Sequence, residues 1–414
     1  MRNQKTYVAT FAIIVVFGAI FLGLMTWGNY RYASENPGGN DFLVHWVGTR
    51  ALVKEGLNPY SDEVASRIQT LAYGRPAQPG EHLLRVAYPL YSVIVFLPFS
   101  FIDDFTWARA AWMTVLEAGL LLLTVFSIRL ARWKVSPLML AGLLIFSLFW
   151  YHGLRPLING NAVVLVALGL VGGFLALRAG ADELAGVLFA LTTIKPQVVV
   201  LVLAFVVFWG ISNGRWRLIG WLVGMVALLA ASASLLIPAW PVDNLREVML
   251  YPSYNPPGTP RAAFVEWWPA WGDRLGWALT VIMALFLLIE WVSNRKADFR
   301  GFVWVAFLTL VISQWIGIQT DPGNFVVLFP VVIMVLAMID ERWHVGGRVF
   351  VILSLIGLLV GIWAIFLNTV EFGDQPVQSA VMFFPLPAFL FLTLYWVRWW
   401  AVQPPNLYYE SLDR

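Results

Sequence analysis

The chain begins with a long apolar run that gives way to a polar stretch carrying ionisable groups. Residues 7–27 read YVATFAIIVVFGAIFLGLMTW, and residues 41–46 read Asp-Phe-Leu-Val-His-Trp. A predominantly apolar run of this length crosses a bilayer as a helix. Asp41 and His45 are four residues apart, so they share one face of the short helix predicted over 41–55. The pattern indicates a membrane protein with a carboxylate just outside its first span.

Composition extends this interpretation to the whole chain. Of 414 residues, 60% are hydrophobic and 12% charged, whereas soluble domains carry about 25% charged residues. The absence of cysteine excludes disulfides, thiolate metal sites and a cysteine nucleophile. The histidines show no metal-ligand spacing; they are His45, His82, His152 and His344. Cysteine and histidine therefore offer no recognisable metal site, and we expect no cofactor and no nucleic-acid partner.

The apolar runs predict an all-α polytopic membrane protein with about twelve transmembrane helices. The predicted spans are 7–27, 106–128, 136–151, 160–177, 184–194 with 196–210, 218–237, 274–293, 301–317, 324–340, 348–368 and 379–399. Residues 87–101 are too short for an ordinary span, so we expect a re-entrant or interfacial segment.

These spans predict one integral membrane domain with two large loops on the same side. Its segments are the first span (7–27), an outer catalytic loop (28–105), core spans (106–237), a second outer loop (238–273), C-terminal spans (274–400) and a cytoplasmic tail (401–414). Short amphipathic or re-entrant helices are expected in the first loop.

Charge sets the expected orientation of the chain. Eleven lysines and arginines lie in the short loops on one side of the predicted spans, and two lie in the short loops on the other. The side rich in lysine and arginine is cytoplasmic. We therefore expect a multi-pass protein of the plasma membrane with both termini in the cytoplasm and the large loops outside.

Asp41 is the candidate catalytic residue. A carboxylate near an acceptor hydroxyl can take its proton as the hydroxyl attacks a sugar carbon. The alternative is a helix cap after the Pro37-Gly38-Gly39-Asn40 turn, because aspartate is a favoured N-cap. Both roles are compatible, since the helix dipole stabilises an ionised carboxylate at this end. His45, Asn58 and Tyr60 follow in the same loop and are expected to shape the pocket.

Three cations are candidates for binding an anionic group on the outer side. Lys195 interrupts a long apolar run next to Pro196, which breaks the helix. It either faces a polar cavity or snorkels to the membrane surface. Arg155 lies in the loop that ends Asn159-Gly160-Asn161, which is either a phosphate site or an ordinary turn. Arg261, in the second outer loop, is a further candidate phosphate contact.

The remaining acidic residues have structural interpretations. Glu117 lies inside a span, where an acid is by default a candidate functional residue. Arg109, eight residues earlier on the same face, allows a structural ion pair, and a packing role is the preferred interpretation. The acids at 103 and 104 are a second acidic site, a metal ligand or, as we prefer, a solvated turn, and Asp321 is most simply a turn residue. The sequence contains no glycine-rich nucleotide cradle, so no nucleotide donor is expected.

Several motifs together resemble glycosyltransferase family 87. They are Asp41-Phe42 with His45-Trp46, residues 51–60 (ALVKEGLNPY), Tyr88-Pro89 before an apolar segment, Asn159-Gly160-Asn161, and the segment from Ala185-Gly186 to Ile194-Lys195-Pro196-Gln197. The resemblance covers residues 7–210. The chain departs from the family where Gly160-Asn161 precedes Ala162, since Gly-Gln-Asn is frequent there.

The resemblance implies the C-type glycosyltransferase fold and a hexosyltransferase activity. The donor would be a polyprenyl-phosphate sugar, with mannose the expected sugar, and the acceptor a lipid or glycan. Transfer would invert the anomeric centre without a metal, with Asp41 as base. Lys195 and Arg155 would neutralise the departing phosphate, and Asn161 would contact substrate.

Two other functions are compatible with the pattern. A transporter or flippase of lipid-linked sugars would also use intramembrane Lys195 and Glu117, although no inverted repeat is visible. A membrane scaffold would bind a partner through the tryptophan-rich second outer loop. Movement of labelled lipid without a glycosidic product would indicate a flippase, and indifference to substitution of Asp41 would indicate a scaffold.

Overall fold

The computed structural model describes residues 2–255, 258–318, 320–372 and 376–401. These residues are helical almost throughout. The described β-structure is one antiparallel pair of two-residue strands, β1 (Glu371–Phe372) and β2 (Pro376–Val377). The predicted all-α class is confirmed, and the chain is a polytopic membrane protein. The predicted cytoplasmic tail, 401–414, lies outside the described residues except for Ala401.

Helices follow one another with short connections. In chain order they are α1 (Arg2–Glu35), α2 (Asn40–Glu55), α3 (Asp62–Tyr73), α4 (Val93–Ser100), α5 (Phe105–Ala131), α6 (Pro137–Phe149), α7 (Tyr151–Asn159), α8 (Val163–Arg178), α9 (Asp182–Leu191), α10 (Val200–Ser212), α11 (Trp216–Leu236), α12 (Trp240–Leu250), α13 (Pro260–Trp267), α14 (Gly272–Ser293), α15 (Phe299–Ile316), α16 (Phe329–Ile356), α17 (Ile362–Thr369) and α18 (Pro385–Trp396). Single 3₁₀ turns join several of them, and one π-helix, Gly357–Gly361, links α16 to α17.

Five helical segments of the described chain are long and apolar enough to cross a membrane. They are α5, α11, α14, α15 and the 48-residue run Pro322–Thr369, and α6 with α7 makes a sixth if that pair, bent by 49°, is one span. The predicted first span lies inside α1. The run Pro322–Thr369 is about 72 Å long at 1.5 Å per residue, which is enough for two crossings. Its helix is kinked at His344 (φ 47°, ψ −109°), between the two spans predicted there.

Other predicted spans form shorter apolar helices. Leu90–Ser100, Val163–Arg178, Val200–Ser212 and Ala380–Trp396 each have fewer than 18 residues. The apolar run around Lys195 is broken as the sequence predicts: 3₁₀ turns at Thr192–Ile194 and Pro196–Val198 flank an extended Lys195 (φ −134°, ψ 74°). The total of about twelve crossings and the C-type fold therefore stay predictions.

The chain divides into two compact units. The first comprises residues 1–86, 92–118 and 157–161. Its core is a cluster of aromatic rings in which Phe42 and Phe96 pack on Trp112, with ring centroids 5.6 and 5.1 Å apart. All three side chains are buried. This cluster anchors α2 and α4 beside α5.

The second unit comprises residues 87–91, 119–156 and 162–414. Its centre is formed by α15 and the first half of α16, whose side chains are buried on every face, and by α8, which is buried over most of its surface. Helices that are apolar all round occupy the middle of a bundle. Phe174 of α8, for example, contacts Phe189 and Phe302 edge-on.

Candidate active site

Asp41 lies in the first turn of α2 but does not cap it. The helix begins at Asn40, and its N-cap is Gly39, in the left-handed conformation (φ 79°) and without a side-chain cap. A Cβ on Gly39 would lie 2.6 Å from Arg109 Nε, so glycine is required there by both backbone and space. The interpretation of Asp41 as the N-cap is therefore wrong, and its carboxylate has a partner outside the turn.

That partner is Asn161, another residue that the sequence analysis singled out. Asn161 Nδ2 donates to Asp41 Oδ2 at 2.8 Å, across 120 positions of sequence. Asn161 is buried and Asp41 is half-buried. The amide therefore fixes the orientation of the carboxylate. The Gly160-Asn161 pair is the feature at which this chain departs from the pattern of the family it resembles.

Gly160 makes this contact geometrically possible. Its φ is +73°, and a Cβ there would lie 2.5 Å from Phe42 Cβ. Trp112 Nε1 donates to Gly160 O at 2.7 Å, so the dipeptide is held against α2 by the aromatic core. Any side chain at position 160 would separate Asn161 from Asp41.

Arg109 connects the backbones on either side of this contact. Its Nη1 donates to Asn36 O at 2.7 Å and its Nη2 to Ile158 O at 3.3 Å. Its guanidinium therefore does not pair with Glu117, which instead accepts from Asn29 Nδ2 at 2.9 Å. The ion-pair interpretation is wrong because the arginine donates to two backbone carbonyls instead. Arg109 serves as a brace for the turn that precedes α2.

Three predicted pocket residues that follow Asp41 in sequence are held in place by local contacts: His45, Asn58 and Tyr60. His45 is buried and stacks on Phe96 with centroids 4.6 Å apart. Asn58 Oδ1 accepts from Tyr60 N at 3.0 Å, which forms the turn between α2 and α3. Tyr60 is buried. These contacts show how the loop is built, while a role in binding substrate stays a prediction.

The acids at 103 and 104 form a turn, as the simpler interpretation holds. Asp103 Oδ1 accepts from Lys54 Nζ at 2.7 Å and from Arg50 Nη2 at 2.8 Å, and these two cations lower the pKa of its carboxyl to about 2. Asp104 Oδ1 accepts from Trp107 N at 2.8 Å at the start of α5. In the described ranges no group of three or more histidine, aspartate or glutamate side chains could hold a metal ion.

Lys195 is buried in the second unit rather than extended to the surface. Only 3% of the residue is exposed, and its Nζ donates to Asn324 Oδ1 at 2.7 Å. The ammonium also lies 5.2 Å from the ring centroid of Tyr88. The snorkelling interpretation is therefore wrong, because the head group lies among polar and aromatic partners inside the protein. The break in the helix at Lys195 directs the side chain to them.

Asn324 belongs to a short turn, residues 320–324, that we call the 320–324 turn. Its Nδ2 donates to Thr320 Oγ1 at 2.8 Å. Asp321 Oδ1 accepts from Gly323 N at 2.5 Å, so the predicted turn role of Asp321 is confirmed. Asp321 Oδ2 also accepts from Gln378 Nε2 at 2.6 Å. Both amide and carboxylate side chains of the turn are thus fixed by hydrogen bonds.

Arg155 lies against the same turn. A Cβ on Gly323 would be 3.2 Å from Arg155 Cγ, and the guanidinium lies 5.8 Å from the ring centroid of Phe366. Arg155 Nε is buried and has no hydrogen-bond partner in the described structure. The two cations predicted to bind phosphate therefore lie against the same turn, Arg155 at Gly323 and Lys195 at Asn324, although they are forty positions apart in sequence.

Arg261 is engaged elsewhere in the second unit. Its Nε and Nη2 donate to Asp273 Oδ1 at 2.9 and 2.6 Å, and its guanidinium lies over Trp277. These contacts join α13 to α14 at the surface. The loop that carries Arg261 does reach the 320–324 turn through its backbone, since Thr320 N donates to Gly258 O at 3.1 Å. A phosphate contact by Arg261 stays a prediction.

Three residues around the 320–324 turn are absent from the site predicted from sequence: Asn324, Gln378 and Tyr88. Asn324 had a usable signal, because it is a polar residue directly before a long apolar run, where an unpaired amide is costly. Tyr88 was quoted only as part of a motif. Gln378 has no such signal in the sequence, since it follows β2 directly and reaches the turn by donating to Asp321, 57 positions away.

Comparison with known proteins gives one match. A model of the family described as "Glycosyltransferase family 87" matches residues 87–313, more than half of the chain. The match includes Tyr88, Arg155, Asn161 and Lys195, and it begins after Asp41. No curated protein and no solved structure matches the chain significantly.

Proposed function

Because the chain belongs to glycosyltransferase family 87 and is therefore a membrane glycosyltransferase, we propose that it moves a hexose from a polyprenyl-phosphate sugar to a lipid or glycan acceptor. Mannose is the proposed sugar. Transfer takes place on the outer side of the plasma membrane, with both termini in the cytoplasm, as the distribution of lysine and arginine favours.

The observation that supports a lipid-phosphate donor is the arrangement around the 320–324 turn. Lys195 and Arg155 contribute two positive charges there, and Asp321 contributes one negative charge. A cationic side chain inside a membrane protein marks a candidate binding site. Lysine and arginine are the side chains that bind phosphate, so two of them beside one turn suit the phosphodiester of a lipid-linked sugar.

The proposed step is a single displacement at the anomeric carbon. The acceptor hydroxyl loses its proton to the Asp41 carboxylate, and its oxygen forms the new bond to the sugar C1. The bond between C1 and the phosphate oxygen breaks, and its electron pair leaves with the polyprenyl phosphate. The leaving phosphate gains one negative charge, which Lys195 and Arg155 stabilise electrostatically.

Asn161 has a defined part in this step. By donating to Asp41 Oδ2 it fixes the carboxylate plane, so that the acceptor hydroxyl meets a base of constant orientation. Lining roles for His45, Asn58 and Tyr60, and a phosphate contact by Arg261, belong to the same proposal.

The test is sugar transfer from a radiolabelled polyprenyl-phosphate mannose by the purified protein and its Asp41→Asn variant. Removing a general base lowers the rate by about 10²–10⁴-fold, and we expect at least a hundredfold loss of kcat. Asp104→Asn is the matched control, because asparagine caps a helix as well as aspartate does. Full turnover by Asp41→Asn would refute the proposed base. Lipid movement across vesicles without any glycosidic product would favour a flippase.

A further inference from the structure

The 320–324 turn is held by His152, a residue that takes no part in the proposed chemistry. His152 is fully buried, and its Nδ1 lies 2.7 Å from Pro322 O. A carbonyl oxygen only accepts hydrogen bonds, so Nδ1 carries the proton and donates. His152 therefore binds the backbone of the turn between Asp321 and Gly323.

The other ring nitrogen restricts the form that His152 can take. Nε2 is buried and has no hydrogen-bond partner in the described structure. The ring is surrounded by Trp150, Tyr151 and Phe325, with centroids 5.2 to 5.4 Å away. A second proton on Nε2 would bury an N–H group without an acceptor, which is costly. The ring is therefore neutral, and Pro322 O is its polar anchor.

The position of Pro322 gives this anchor its importance. Pro322 begins the 3₁₀ turn Pro322–Leu328. The next residue, Gly323, is the one on which Arg155 packs, and the residue after that, Asn324, holds Lys195. A shift of the Pro322 carbonyl would displace the contacts of both cations together.

The neighbour of His152 fastens the same turn from another direction. Tyr151 donates its hydroxyl hydrogen to Gln378 Oε1 at 2.5 Å, and Gln378 Nε2 donates to Asp321 Oδ2 at 2.6 Å. Two consecutive residues at the start of α7 thus hold Asp321 and Pro322. Helix α7 also carries Arg155, one turn further on.

We propose that His152 is a positioning residue for the donor phosphate. Its Nδ1–H holds the Pro322 carbonyl and thereby places Asn324, with Lys195, and Gly323, with Arg155, around a single phosphate group. The inference rests on the proposed function, because the ligand is the phosphate of a polyprenyl-phosphate donor. His152 thus affects the affinity for the lipid phosphate although it does not contact the phosphate itself.

Amide substitutions separate this role from simple packing. In His152→Asn the side-chain nitrogen can occupy the place of Nδ1 and donate to Pro322 O. In His152→Gln the amide lies nearer the place of Nε2, away from that carbonyl. His152→Phe keeps the ring volume and removes the donor. Asparagine at position 152 should therefore preserve the affinity for phosphate, and glutamine or phenylalanine should lower it.

The experiment measures binding of a short-chain polyprenyl phosphate without sugar to the full-length protein in detergent. Losing one hydrogen bond changes an equilibrium by up to about tenfold. We expect Kd to rise about five- to tenfold in His152→Phe and His152→Gln, and to stay within about twofold in His152→Asn. Unfolding midpoints of the Asn and Gln variants are compared, so that a difference in Kd between two equally stable proteins reports positioning.

A double variant tests whether His152 acts on the phosphate through Asn324. In an Asn324→Ala background, His152→Phe should raise Kd by a smaller factor than it does in the wild-type protein, because one of the two contacts that His152 positions is already lost. Equal Kd values for His152→Phe and wild type, equal losses for Asn and Gln, or independent effects in the double variant would overturn the inference. A wild-type protein that binds no polyprenyl phosphate would instead refute the proposed function, and the inference with it.

Discussion

Replacing Asn324 by aspartate is the sharpest perturbation of the proposed phosphate site. Asn324 is buried and its Oδ1 accepts from Lys195 Nζ at 2.7 Å. Aspartate has nearly the same shape and keeps this hydrogen bond, but it adds one negative charge beside the ammonium. We expect the variant to fold and to bind the donor poorly.

The size of the effect follows from the geometry. A phosphate oxygen bound to Lys195 would lie about 5 Å from the new carboxylate, if both are within hydrogen-bond distance of the same nitrogen. Two like charges about 5 Å apart repel by about 3 kcal/mol at an effective dielectric constant of about 20. This corresponds to roughly a hundredfold in affinity. Allowing for relaxation and solvent, we expect KM for the donor to rise at least tenfold.

The assay is steady-state transfer from a polyprenyl-phosphate sugar with the acceptor in excess. Asn213→Asp, at an exposed turn between α10 and α11, is the matched control because it makes the same chemical change away from the 320–324 turn. Asn324→Ala separates charge from hydrogen bonding, since it removes the acceptor without adding a carboxylate. An unchanged donor KM in Asn324→Asp would refute the assignment of Lys195 to the donor phosphate.

Two further predictions concern the first unit. Gly160→Ala should destabilise the protein by about 1–3 kcal/mol and lower transfer, because its Cβ would lie 2.5 Å from Phe42 Cβ and its φ is positive. Gly142→Ala is the control: its position is helical and open, so the change should be neutral or slightly stabilising. The unfolding midpoints of the two variants in detergent are compared with that of the wild type. The Asp103 carboxyl has its pKa lowered to about 2, so its contribution to stability should be complete above about pH 4 and disappear as the pH falls toward 2. The difference in melting temperature between wild type and Asp103→Asn should therefore shrink over that range and with added salt, and a difference independent of pH would contradict the pairing with Lys54 and Arg50.

The sequence predicted most local structure because local structure depends on nearby residues. The turn at 37–40, the short helix that follows it and the break at Lys195 are all encoded by glycine and proline within a few positions. The positions of apolar helices follow directly from hydropathy. The number of membrane crossings does not follow from hydropathy, because hydropathy does not show where an apolar helix breaks or bends.

Partners of ionisable groups were predicted less well. The alternative interpretation of Asp41 as a helix cap fails because Gly39 takes that place, and Asn161, 120 positions away, donates to its carboxylate. An ion pair between Arg109 and Glu117 is one option that the sequence offers, yet Arg109 donates to two carbonyls from other segments. Long-range pairing depends on tertiary packing, which spacing along one helix cannot reveal.

The candidate phosphate site shows the same limit and one success. Lys195 and Arg155 were selected separately, as cations in an apolar setting, and the structure brings both to the 320–324 turn. Asn324, which accepts from the lysine, lay in a segment treated as an ordinary turn. A search for polar residues at the edges of apolar runs would have found it.

The distance in sequence between Lys195 and Asn324 has a consequence for biogenesis. The two residues are 129 positions apart. At about 5–20 residues per second, a ribosome needs roughly 6–26 seconds after making the lysine to make its acceptor, and Gln378 follows later still. During that interval the lysine lacks this acceptor. The donor site can therefore be completed only when most of the C-terminal spans have entered the membrane, and a nascent chain that stalls before Asn324 should not bind the donor.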